Sequence, residues 1–244
     1  MFIGIDSAPG GWVAAFLQKS RFTSVVFYQT LLSIPHLRQA KAIFIDMPIG
    51  LPAFHQYPRP CDREAKAFLG KRHSSIFYAP PRNLIGYRDY HAANALMKQK
   101  CQQGMSRQSF NIIPKIIELD HFIRGGKNRQ LPIYEAHPEV CLTQLWSAQQ
   151  SGIQSKHTSM GISQRKTLIM NYAQNAVEFW PAAEPKETQK IDDMLDAMLL
   201  AIAAATASYN CFGGVPNDFD EENLPMRICY PEISLPAQIK RRNE

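Results

Sequence analysis

The stretch Phe2 to Trp12, FIGIDSAPGGW, runs from apolar and β-branched residues into an aspartate and then into a Pro-Gly-Gly turn. This pattern predicts a buried strand ending on Asp6 at a sheet edge, where a carboxylate is open to metal or phosphate chemistry. Three later stretches use the same grammar. Ala42 to Pro52, AIFIDMPIGLP, is a second apolar strand that ends on Asp46 and turns at once in a Pro/Gly loop. Leu131 to Glu139, LPIYEAHPE, is a strand ending on Glu135, after which His137 and Glu139 lead into a helix. Ile191 to Ala207, IDDMLDAMLLAIAAATA, is a helix that carries Asp192, Asp193 and Asp196 ahead of an apolar, small-residue body. Acidic endpoints on four buried elements are more than solubility requires.

Working outward, VAAFLQ (13–18) and TSVVFYQ (23–29) are two more strands, so the first 30 residues predict a three-stranded antiparallel meander. Leu31 to Ala40 has helical spacing, and a crossover there lets the Asp46 strand lie parallel to the first and beside it. Residues 53–130 read as a mainly helical insertion. Within it, Asp62 is placed to cap a helix that Gly70 ends, and further helices are predicted over 87–103 and 114–124. KRHSSIFYAPPR (71–82) is too rich in proline for regular structure. Helices over 138–148 and 162–180, the DDMLDA helix and an edge strand at 227–231 complete the chain, read as a single domain over 1–244.

With 45% hydrophobic and 20% charged residues the composition is that of a globular protein, and no apolar run nears the ~18 residues that span a bilayer. The first residues lack the pattern of a secretory leader, so a cytoplasmic location is expected. Cys61, Cys101, Cys141, Cys211 and Cys229 form no CxxC pair and are expected to stay reduced. A net charge of +6 suits a polyanionic partner, although the IKRRN tail supplies part of it.

Carboxylates assembled in one place repel one another unless a cation neutralises them. Mg²⁺ or Mn²⁺ is the expected cofactor, because these hard ions take oxygen ligands, and a pair of them assists phosphodiester hydrolysis. Asp193 and Asp196, three apart, share a helix face, and so do Asp192 and Asp196, four apart. Each residue alone has a plainer reading as a turn former or helix cap; the ordered set of strand-Asp, strand-Asp, strand-Glu and helix-Asp favours a site.

GID followed by Gly-Gly-Trp, then IDMPIGLP, RPCDREA, SSIFYAPPR, KIIELD, EAHPEV and DDMLDA, together resemble the DUF429 family of predicted RNase H-like nucleases. The resemblance covers nearly the whole chain. It implies an α/β, RNase H-like fold: a five-stranded mixed sheet in the order 3-2-1-4-5, flanked by helices, with the insertion between strands 4 and 5. The DxxDA spacing over 193–197 is also similar to the last helix of RuvC-type resolvases. By position, Asp6 corresponds to the first-strand metal aspartate, Asp46 to the fourth-strand carboxylate, and Asp193 with Asp196 to the helix pair. Glu135 is a further candidate ligand that the superfamily pattern does not demand.

The expected activity is therefore metal-dependent hydrolysis of nucleic acid. Arg72, Ser75, Arg82, Lys115 and His137 are the candidate substrate-binding residues, with Phe77 or Tyr78 placed to stack on a base. Lys115 has a plainer reading as the partner of Glu118 or Asp120. Two other functions fit the same sheet: a nucleotide-binding phosphotransferase of the actin-like branch, with IDSAPGG as its phosphate hairpin, and a non-catalytic module that binds nucleic acid or protein. A homodimer is compatible with the sequence.

Overall fold

Two-residue turns decide the N-terminal meander. β1 (Phe2–Ala8), β2 (Gly11–Gln18) and β3 (Arg21–Tyr28) are antiparallel neighbours. Lys19 and Ser20, between β2 and β3, both take the left-handed backbone (φ 49° and 57°) that matches strand twist in such tight hairpins. β4 (Ala42–Ile45) pairs parallel with β1, and β5 (Ile133–Glu135) parallel with β4, giving the sheet order β3-β2-β1-β4-β5. This computed structural model describes residues 1–146, 152–180, 188–213 and 218–232; the basic tail expected at 239–243 lies outside them.

The expected helical segment lies between β4 and β5: α1 (Pro60–Leu69), α2 (Tyr90–Cys101), α3 (Arg107–Asn111) and α4 (Ile113–Arg124). After β5 come α5 (Pro138–Trp146), α6 (Ser159–Tyr172) and α7 (Thr188–Ala204). β6 (Tyr209–Phe212) and β7 (Ile228–Pro231) form a separate antiparallel ribbon, which a parallel bridge from Cys229 to Ala136 attaches just beyond β5. Among the described residues no helix is long and apolar enough to cross a membrane.

Four local expectations change. Leu31 to Ala40 forms not a helix but two 3₁₀ turns, Leu31–Ser33 and Leu37–Gln39. Pro35 between them removes a helical N–H and disfavours helix at Ile34, and His36 is left-handed at φ 63°. The helix expected over 162–180 begins earlier, where Thr158 caps Gly161, and gives way to a 3₁₀ turn at Gln174–Phe179. Asp62 lies inside the first turn of α1 and meets Arg59 instead of capping the helix. Cys211 and Cys229, expected to be reduced, face each other across β6 and β7 with Cα atoms 4.1 Å apart and are joined as a disulfide; Cys61, Cys101 and Cys141 are free.

The central strands β1, β2 and β4 are buried on both faces, and the alternation of side chains says which face each acid takes. Ile3, Ile5, Ile43 and Ile45 enter the core with Ile116, Leu119 and Ile123 of α4. Val13, Ala15, Leu17 and Phe44 enter the other core, dominated by α7. One residue beyond Ile5 and Ile45, Asp6 and Asp46 therefore share the α7 face. Gly4, on that same face, lets α7 lie directly on β1: a Cβ there would come within 2.0 Å of the Ala197 carbonyl and 2.3 Å of the Ala201 amide. Asp193 precedes Ala197, and Asp196 precedes Leu200, by one turn each, so this close approach carries both helix acids toward the end of β1. Gly4→Ala should cost about 3 kcal/mol or more, because the clash is with backbone and no rotamer relieves it. Urea unfolding measures the loss, and a cost under about 0.5 kcal/mol would show that the helix can lift off at no penalty.

Candidate active site

The end of β1, the end of β4 and the first turns of α7 bring four of the five expected carboxylates into one electrostatic cluster. Asp6 is 5% exposed and Asp196 3% exposed. Burial, followed by the charges of Asp46, Asp196 and Asp193, raises the Asp6 pKa well above its ordinary value. Burial also raises Asp46, against the favourable charge of His137 and a hydrogen bond with Asp6. For Asp193, burial and the Asp196 charge push the pKa up to about 6. Asp193, rather than Asp192, is among the charges acting on Asp6; Asp192 interacts instead with Lys156, Asp196, His157 and Arg165.

Such a cluster opposes folding when it ionises. A carboxyl whose folded pKa lies above its unfolded value contributes stability that is complete below the unfolded pKa, near 3.8, and disappears as pH rises through the folded pKa. The metal-free protein should therefore lose stability from this source as pH rises from about 4 through about 6, where Asp193 ionises, and further as the more strongly raised Asp6 follows. Thermal melts of wild type and Asp6→Asn over pH 5 to 8 should show the variant gaining on the wild type as pH rises; parallel curves would mean that the acids do not repel.

One cation already sits in the cluster. Lys156, in the loop before α6, places Nζ 2.8 Å from Asp196 Oδ2. Burial works against its ammonium, but Asp196, Asp6 and Asp46 outweigh this and hold the lysine pKa above its ordinary value. Asp196 Oδ1, also buried, has no hydrogen-bond partner among the described residues. Sequence reasoning missed Lys156 because it lies in the irregular stretch SGIQSKHTSMG; a lone lysine in a loop carries no periodic signal.

Glu135 does not join the cluster. It pairs in register with Ile45, one residue short of Asp46, and so leaves the sheet on the face opposite α7. There it accepts two hydrogen bonds from Arg59, at 2.6 and 2.8 Å, and one from the Ile49 amide. Burial raises Glu135 to about 7, with the Arg59 guanidinium pulling the other way. Arg59 also binds Asp62 through two nitrogens and donates to the carbonyls of Ile49 and Gly50. Glu135 thus anchors the loop that follows Asp46.

The basic residues divide in the same way. A cleft of about 540 Å³ opens beside the cluster, lined by Asp46 and Asp196 together with Lys71, Arg72, Ser75, Phe77, His137 and Lys156. Arg72 reaches Glu139 at 2.5 Å and Thr143 at 2.6 Å, and Glu139 also holds the buried Arg165. His137 accepts from the Glu139 amide at Nδ1, and its Nε2 lies 3.2 Å from the Ser75 carbonyl. Phe77 is 40% exposed at the cleft wall. Arg82 is elsewhere, spanning Asp120 and Asp220. Lys115 stacks over Trp12 and lies 3.5 Å from Glu118, its plainer reading.

The ordered motifs match one family over residues 4–221. The chain belongs to the DUF429 family, described as proteins of unknown function. No curated protein and no solved structure matches it.

The donor set of this family member suits a hard cation, since four carboxylates converge and one buried oxygen lacks a partner. Among the described residues, however, no group of three or more His, Cys, Asp or Glu side chains is arranged to hold a metal ion as it stands.

Proposed function

We propose that the chain is a metal-dependent nuclease of RNase H-like type, hydrolysing phosphodiester bonds of nucleic acid. One observation carries the reading: Asp6, Asp46, Asp193 and Asp196 form one electrostatic cluster, and Asp46 and Asp196 of it line a cleft whose wall is cationic and aromatic. Acids crowded together are costly, and a fold retains them where a cation or a reaction uses them. These four aspartates would hold Mg²⁺ or Mn²⁺, which when bound supplies charge stabilisation at the scissile phosphate. Lys71 and Arg72 attract the phosphate backbone from the cleft wall, Arg72 with its orientation fixed by Glu139 and Thr143. Phe77 offers a stacking face to an unpaired base. His137, beside Asp46 and held by Ser75 and Glu139, orients the acid-side rim of the cleft.

The test is a cleavage assay on single-stranded, duplex and branched DNA and RNA, with Mg²⁺, with Mn²⁺ and with chelator. Metal-dependent cleavage lost in Asp6→Asn supports the reading. Nucleic-acid binding that needs neither metal nor Asp6, without cleavage of any substrate, would replace it with that of a binding module.

A further inference from the structure

An acidic site that awaits a cation has to be held together before the cation arrives. In this fold the loop preceding α6 does so. The Lys156 ammonium takes Asp196 Oδ2 at 2.8 Å and acts on Asp6 and Asp46 as well. The other oxygen of the same carboxylate, on a residue 3% exposed, has no partner among the described residues. A single monovalent ammonium therefore neutralises only part of the cluster and leaves one buried acceptor unmet. A divalent ion at this cluster would take several carboxylate oxygens at once and so compete with the ammonium for Asp196.

The surroundings allow exchange without unfolding. The loop backbone is braced on α6: Gln154 N donates to Gln164 Oε1 at 2.8 Å, Gln164 Nε2 to the Gly152 carbonyl at 3.0 Å, and Arg165 to the Gln154 carbonyl at 3.3 Å. The Lys156 side chain itself is 35% exposed and faces the 540 Å³ cleft. Its flexible stem can rotate into that cleft while the main chain stays in place. There it joins Lys71 and Arg72 on the wall that faces a phosphate.

We propose that the Lys156 ammonium is the resident counter-ion of the aspartate cluster, and that a divalent cation binds by displacing it from Asp196 into the substrate cleft. This rests on the metal-dependent reading of the site and adds a residue to it. It also accounts for an acid cluster that, with the lysine seated, is not arranged to hold a metal.

Calorimetric titration of Mn²⁺ into wild type, Lys156→Met and Lys71→Met tests the exchange, with circular dichroism confirming that each is folded. Lys71 lines the same cleft without pairing to the cluster, so it controls for loss of a nearby positive charge. Lys156→Met should bind Mn²⁺ about tenfold more tightly than wild type, as expected for removal of a partly buried ion pair, and Lys71→Met within about twofold of it. A second readout uses the wild type alone: acetylation of Lys156 by an amine-reactive ester, followed by mass spectrometry. Saturating Mn²⁺ should speed labelling of Lys156 severalfold and leave Lys19, in the exposed β2–β3 turn, unchanged. Equal or weaker Mn²⁺ binding by Lys156→Met, with Lys156 labelling unaffected by metal, overturns the exchange and leaves the metal site standing. No Mn²⁺ binding by any of the three proteins overturns both.

Discussion

Replacing Arg59 by methionine should destabilise the protein by about 3 to 5 kcal/mol, the usual result of removing one partner from a buried ion network. Arg59 is 1% exposed, and its guanidinium binds Glu135, Asp62 and the carbonyls of Ile49 and Gly50. Methionine fills much of the volume but leaves two carboxylates and two carbonyls facing an apolar side chain. The loss is specific to the charge. Adding Asp62→Asn and Glu135→Gln to Arg59→Met should recover part of the stability, because neutral amides tolerate burial better than unpaired carboxylates. Arg63→Met, one turn away and exposed, should change stability by less than about 0.5 kcal/mol. Urea denaturation of the four proteins decides the matter. A loss for Arg59→Met no larger than that for Arg63→Met would mean that Glu135 and Asp62 find other partners.

Replacing Asp6 by asparagine should do the opposite to stability and remove function. The change keeps the side-chain shape and the acceptor for the Ser7 amide, 2.8 Å away, while deleting one charge from a mutually repelling set. At pH 7.5 without metal, the variant should unfold at the same or a higher temperature than wild type. Its Mn²⁺ affinity should fall about 100-fold or more, since losing even an outer-shell partner costs 10- to 100-fold, and cleavage should fall to background. Asp193→Asn should behave alike. Wild-type Mn²⁺ affinity in both variants would refute the assignment of these carboxylates as ligands. A gain in stability together with a loss of activity marks a residue retained for chemistry at the expense of the fold.

Much of the sheet was legible because its signals are local. Alternating apolar residues, two tight turns and the repeated strand-then-acid pattern are each contained in a dozen residues, and they predict the five strands, the antiparallel meander and β4 parallel beside β1; the full order β3-β2-β1-β4-β5 was what the family resemblance implied. Leu31 to Ala40 misleads because its apolar spacing is helical while Pro35 forbids the helix, and the local backbone rule prevails over the periodicity. The Cys211–Cys229 bond was not legible either, since it depends on two strands 18 residues apart in sequence facing each other.

Of the site, the sequence by itself determined that Asp6 and Asp46 lie at the ends where two parallel neighbouring strands stop pairing, although β1 runs on to Ala8, and that Asp193 and Asp196 ride on one helix. The tertiary structure alone decided which acids meet. Glu135 looks like a third strand-end ligand, but a register offset of one residue turns it to the other face, where Arg59 claims it. Lys156, unremarked in its loop, lands 2.8 Å from Asp196. Arg82 and Lys115, basic like Lys71 and Arg72, fold onto Asp120 and Trp12 instead of the cleft. The type of each element follows from short-range spacing, whereas the meeting of charges follows from strand register and from the path of loops between distant elements, and these are set only when the two cores close on the sheet.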